Sequence, residues 1–109
     1  HRLDRLCAIV DYNKMMTYGS TREVLDLEPF PEKWRSFGFA VREADGHDVS
    51  ELRGALGAVP FEAGKPSALI AHTVKGKGVA AIEGVASWHH KAKVSDEEMA
   101  KLWRGLEEH

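Results

Sequence analysis

Cysteine is almost missing from this sequence. Of 109 residues only Cys7 is a cysteine, so no disulfide can close within the chain. The expected setting is a reducing compartment, the cytoplasm. Basic excess is missing too. Lys and Arg number 15 against 17 Asp and Glu, a formal net charge of −2. That argues against nucleic acid or a membrane surface as partner, because both demand a cationic face. No apolar run approaches the roughly 20 residues of a membrane helix. The opening His1-Arg2-Leu3-Asp4 has neither an initiator Met nor the apolar core of a signal peptide. A cut chain, or a piece of a longer one, is the expectation. There is no Gly-x-x-x-x-Gly-Lys-Ser/Thr and no His-Glu-x-x-His, so neither a P-loop nor that zinc site is available.

What is present alternates between strand and helix signals. Leu6–Val10 is a short apolar run with β-branched residues and polar flanks, the pattern of a fully buried strand. Asp11–Leu27 has no sustained period and reads as a long loop. Phe30, Trp34 and Phe37 recur at i, i+4, i+7, with Pro29 and Pro31 at the start and Gly38 at the end of a predicted helix. Phe39–Ala44 is a second strand. Asp48 and Glu51 form a capping-box pattern before the stripe Val49, Leu52, Leu56, Val59. Ser67–Val74 is a third strand, broken by Gly76 and Gly78. Ser95 and Glu98 repeat the capping pattern before Met99, Leu102, Trp103 and Leu106, a terminal amphipathic helix. The expected fold class is α/β: one domain with a parallel sheet and helices on both faces. Ligands in such sheets bind beyond the strand C-terminal ends, here Asn13–Met16, Asp45–Asp48 and Lys75–Gly78.

Those ends hold the chemistry-bearing residues. Asn13, just past the first strand, either turns the chain or offers its amide oxygen to a hard cation, with a backbone carbonyl two residues on as a second donor. Lys75-Gly76-Lys77-Gly78 is either a solvated turn or an anion cradle. Trp88-His89-His90-Lys91 sets two imidazoles beside an aromatic, able to hold phosphate or move protons. His47 reads as part of a turn and helix cap, and His72 as a satisfied core histidine.

The order of these blocks carries a resemblance. Asp11-Tyr12-Asn13-Lys14, Thr21 with Glu23-Val24-Leu25, Lys33-Trp34-Arg35-Ser36-Phe37-Gly38, Asp45-Gly46-His47-Asp48, Lys65-Pro66, His72-Thr73-Val74-Lys75-Gly76-Lys77-Gly78 and Trp88-His89 together resemble the transketolases. The similarity is to their N-terminal, thiamine diphosphate-binding domain and covers nearly the whole chain. It implies that Asn13 ligates Mg²⁺ and that Met15 gives its backbone carbonyl to the same ion. It implies that Lys75 contacts the cofactor, and that His89 reaches both the diphosphate and the substrate as the catalytic histidine. The implied activity is thiamine diphosphate- and Mg²⁺-dependent transfer of a two-carbon ketol unit from a ketose, or ketose phosphate, to an aldose acceptor. The family's Trp-His-Gly-Lys here has His90 in place of Gly. Its Gly-Asp-Gly, which opens the cofactor motif upstream of the Asn, occurs nowhere in this chain.

Residues 1–109 are therefore expected to be part of a diphosphate domain whose upstream part is missing. The partners expected are a segment carrying Gly-Asp-Gly and a pyrimidine-binding domain or subunit, in a dimer or heterotetramer. The ending at Glu107-Glu108-His109 suggests a split-subunit transketolase, in which the two halves are separate polypeptides and this chain belongs to the half with the diphosphate domain. Two alternatives stand beside this reading. One is a related thiamine diphosphate enzyme with other substrates, similar to 1-deoxyxylulose-phosphate synthase or drawn from specialised metabolism. The other is a non-catalytic scaffold.

Overall fold

The computed structural model describes residues 1–88 and 91–107; His89, His90, Glu108 and His109 lie outside the described residues. In chain order the elements are β1 (Cys7–Tyr12), β2 (Met15–Met16), β3 (Gly19–Ser20), α1 (Thr21–Val24), α2 (Phe30–Ser36), β4 (Ala40–Asp45), α3 (Val49–Gly57), β5 (Ser67–His72), a 3₁₀ turn over Ala86–Trp88, and α4 (Asp96–Glu107). None of the described helices is long and apolar enough to cross a membrane. The chain divides into two compact units: residues 1–12 with 27–73, and residues 13–26 with 74–109.

The first unit is the parallel sheet. Its order is β1-β5-β4, and both ladders are parallel. The register sets Cys7 and Ala40 beside Ser67, and Tyr12 and Asp45 beside His72, so all three strands end level. Ser67–Ala71 is the centre, buried throughout, with Leu69 and Ile70 at 0% exposure. β4, α3 and β5 follow in sequence with β5 beside β4, the parallel crossover that alternating strands and helices imply. α2 and α3 both contact β4.

β1 departs from the fully buried strand expected at Leu6–Val10. It runs one residue later at its start and two later at its end, and Ile9 is 58% exposed. As an outer strand it has one ladder neighbour, and its side chains alternate between covered and open. α2 begins at Phe30 as expected, but ends at Ser36. Phe37 becomes the C-cap, 84% exposed, while Phe30, Trp34 and Phe39 stack edge-on at 6.1 and 4.9 Å. Asp48 caps α3 by accepting from the N–H groups of Ser50 and Glu51, but the box is not reciprocal. Glu51 instead accepts from the Asp45 N–H at 3.2 Å. His72 is not a core residue: it is half exposed, with Nε2 2.9 Å from Glu43 Oε1. His47 lies in the expected turn, its N–H donating to Asp45 Oδ1 at 2.8 Å.

The second unit is made of turns and local caps. The segment read as an irregular loop contains the β2–β3 hairpin and α1. Ser20 and Glu23 cap α1 reciprocally, each side chain accepting from the other's backbone N–H at 3.3 Å. The Ser95–Glu98 box at the head of α4 forms as expected, with bonds of 2.9 and 3.2 Å. On α4 the packed face is Leu102 and Gly105, the latter buried against Val79, whereas Met99, Trp103 and Leu106 are largely exposed.

Candidate functional site

The site residues expected from the sequence that are described, Asn13, Met15 and Lys75, all fall in the second unit. Asn13 follows the last residue of β1 and folds back on its own chain. Its Oδ1 accepts the Met15 N–H at 3.0 Å, an Asx turn. Between them Lys14 takes φ 62°, a left-handed conformation that costs a residue with a Cβ. The Lys14 carbonyl is held by Thr21, whose N–H donates to it at 2.9 Å and whose hydroxyl donates at 3.4 Å. Thr21 is buried, at 9% exposure.

The hairpin register decides where the Met15 carbonyl points. Met15 pairs with Ser20 and Met16 with Gly19. The Thr21-to-Lys14 bond makes Lys14–Thr21 a hydrogen-bonded position, so alternation leaves Met15–Ser20 at the non-hydrogen-bonded spacing. There, N–H and C=O both face away from the partner strand. The Met15 N–H meets Asn13 Oδ1 on that side, and the Met15 carbonyl emerges on the same side. Two oxygens, one amide and one backbone carbonyl, are thus presented together. Asn13 Oδ1 accepts one hydrogen bond and keeps a second lone pair. This donor set is hard, neutral and oxygen-only, which suits Mg²⁺ retaining some of its water or anionic ligands. Among the described residues no group of three His, Cys, Asp or Glu side chains gathers as a metal cage.

Lys75 opens the second loop. It is half-buried, and its carbonyl accepts the Gly84 N–H at 2.8 Å, closing the loop on itself. Gly76 has φ 77°, and a Cβ there would stand 2.8 Å from the Ile82 carbonyl oxygen, so only glycine fits. Gly78 does not serve as a free anion donor: its N–H donates to Glu83 Oε1 at 2.9 Å, and Lys77 lies 3.7 Å from the same oxygen. The anion cradle read from Lys75–Gly78 therefore narrows to Lys75, the lysine of the loop without a carboxylate partner among the described residues.

His89 and His90 lie outside the described residues. Their flanks are anchored: Lys91 Nζ sits 4.3 Å from the centroid of the Trp88 ring and 2.5 Å from Glu98 Oε1. The Lys91 hydrogen bond, with help from the Ser95 N–H, lowers the Glu98 carboxyl to about 2.

Sequence reasoning gives no role to Lys14 or Thr21. The Ser20-x-x-Glu23 pattern is the available signal for Thr21. Nothing in a lysine announces a left-handed turn.

A family model described as "Transketolase, thiamine diphosphate binding domain" matches residues 1–107. One subunit of the apulose-4-phosphate transketolase of Phocaeicola vulgatus is 37% identical over 97 residues, covering 89% of this chain and 34% of that protein. The 6-deoxy-6-sulfo-D-fructose transketolase subunit SqwG of a Clostridium species is 43% identical over 103 residues, covering 94% and 36%. A crystal structure of transketolase from Campylobacter jejuni superposes with a TM-score of 0.72 at 30% identity, over 80% of this chain and 13% of that one. The chain spans about a third of the length of those first two relatives.

Proposed function

Because this chain belongs to the transketolase family through its thiamine diphosphate-binding domain, we propose that it forms the Mg²⁺- and diphosphate-holding part of a cytoplasmic transketolase. The reaction is transfer of a two-carbon ketol unit from a ketose or ketose phosphate to an aldose acceptor. The observation that carries this reading is the Asn13–Met15 turn, whose two oxygens face one way. Residues 1–109 are then one part of the diphosphate domain. A Gly-Asp-Gly segment supplies the rest of the metal site, and a pyrimidine-binding domain or subunit completes the active site in a dimer or heterotetramer. Two relatives that carry subunit names, each matched over most of this chain, support the split-subunit form. Their transketolase names favour ketol transfer over the related-enzyme and scaffold readings.

When bound, thiamine diphosphate supplies the nucleophilic thiazolium carbon that ketol transfer needs. The chain's own part is electrostatic and positional. Asn13 Oδ1 and the Met15 carbonyl would hold the divalent ion, whose charge would offset that of the diphosphate. Lys75 would add a cationic N–H donor to the same anion. His89 is assigned the diphosphate and a substrate oxygen, as a hydrogen-bond donor that can also carry a proton.

The test is calorimetric titration of thiamine diphosphate into the full-length protein in its native assembly, with and without Mg²⁺. Binding that requires Mg²⁺ and weakens about tenfold or more in Lys75→Met is expected, the size of a charge-assisted hydrogen bond. Absence of binding, or binding indifferent to both Mg²⁺ and Lys75, contradicts the reading.

A further inference from the structure

The Asn13–Met15 turn depends on the residue between them. Lys14 sits at φ 62°, and this single left-handed residue reverses the chain so that the Met15 N–H returns to Asn13 Oδ1. Without it the chain would run on extended from β1, and the amide oxygen and the Met15 carbonyl would part. The conformation is held from outside the turn. Thr21, buried at 9% exposure, gives the Lys14 carbonyl both its N–H, at 2.9 Å, and its hydroxyl, at 3.4 Å. Thr21 is itself fixed as the first residue of α1, whose Ser20–Glu23 box closes just before it.

We propose that Lys14 and Thr21 are positioning residues for the divalent cation, and that Lys14 acts through its backbone conformation. The proposal rests on Asn13 and Met15 being the ligands. What position 14 must supply is tolerance of φ above zero; what position 21 must supply is a hydroxyl reaching the Lys14 carbonyl.

Lys14→Gly and Lys14→Val delete the same ammonium group and differ in the conformation they accept, since glycine enters the left-handed region freely and a β-branched residue resists it. Mg²⁺ affinity is measured by calorimetry on the full-length protein in its native assembly at saturating thiamine diphosphate. Lys14→Gly is expected to bind Mg²⁺ at least as tightly as the parent and about tenfold more tightly than Lys14→Val, the ratio that the left-handed penalty corresponds to. Cofactor binding in Lys14→Val should return to the parent level when Mg²⁺ is raised, a split that general misfolding would not produce. Equal Mg²⁺ affinities in the two variants overturn the proposal.

If Lys14→Val does not fold, Thr21→Ser and Thr21→Val decide. The serine variant is expected to match the parent and the valine variant to bind about threefold more weakly, in line with the loss of one neutral hydrogen bond. Equal affinities there overturn it as well. Asn13→Ala separates the two levels. If it binds Mg²⁺ like the parent, the ligand reading fails and the proposal with it. If it loses Mg²⁺ while the two Lys14 variants stay equal, the positioning proposal alone fails.

Discussion

The two units are built on different principles. In the sheet unit, stability comes from residues distant in sequence: Cys7 lies beside Ser67 and Ala40 beside the same serine, around a centre of Leu69 and Ile70 with no exposed surface. In the other unit the hydrogen bonds around the candidate site residues are made close to home. Thr21 holds Lys14, Gly84 holds Lys75, and Glu83 holds Gly78. The described candidate site residues are all in the second kind of structure. A packed sheet fixes its backbone by burial and tolerates little change there. A segment of turns can bring a carbonyl, an amide and an ammonium to a ligand because local hydrogen bonds, not a core, set its shape.

That contrast can be broken by substitution. The largest effect on folding is expected at Leu69→Ala, where a fully buried side chain on the central strand leaves a cavity costing about 2–5 kcal/mol. Chemical denaturation measures it, and a loss below about 1 kcal/mol would mean the sheet is not the stabilising body. Gly76→Ala should cost less, about 1–3 kcal/mol, because the added Cβ meets the Ile82 carbonyl at φ 77°. Its effect should stay local, with faster hydrogen exchange at amides of residues 75–85 and unchanged exchange in β5. Spread of the effect into β5 would remove the distinction between the units.

The smallest effect is expected at Glu98, and it depends on pH. Its folded carboxyl is lowered to about 2 by Lys91 and the Ser95 N–H. A lowered folded value means that the ionised form favours folding. The contribution is therefore complete above the ordinary carboxylate value near 4.5 and lost as pH falls toward 2. Glu98 is solvent-exposed, so the change is small and screened by salt. Melting of α4 followed between pH 5 and 2 should show this slope in the parent and not in Glu98→Gln. Identical profiles would mean that the Lys91–Glu98 contact does not stabilise the helix.

Legibility in the sequence follows the same division. The strands at 39–44 and 67–74 and the helices at 30 and 49 are readable within a residue or two, because apolar runs and caps repeat with the period of their elements. The errors lie where environment overrides pattern. Ile9 looks buried in a β-branched run but sits on an outer strand, and Phe37 fits a helical stripe but falls just past the helix end. His72, amid apolar neighbours, instead pairs with Glu43 across the sheet, a contact that depends on register and not on local sequence. At the candidate site, Asn13, the Met15 carbonyl and Lys75 are expectations drawn from residue type, position after strands and the family resemblance. The left-handed Lys14 and the buried Thr21 are not, since each depends on a hairpin that no apolar period announces.

The central claim is that one turn supplies two oxygens to one cation. A crystal structure of the full-length assembly with Mg²⁺ and thiamine diphosphate tests it most directly. The account predicts Asn13 Oδ1 and the Met15 carbonyl oxygen both about 2.0–2.1 Å from the ion, in octahedral geometry. A bound Mg²⁺ with either oxygen missing from its coordination sphere would contradict it.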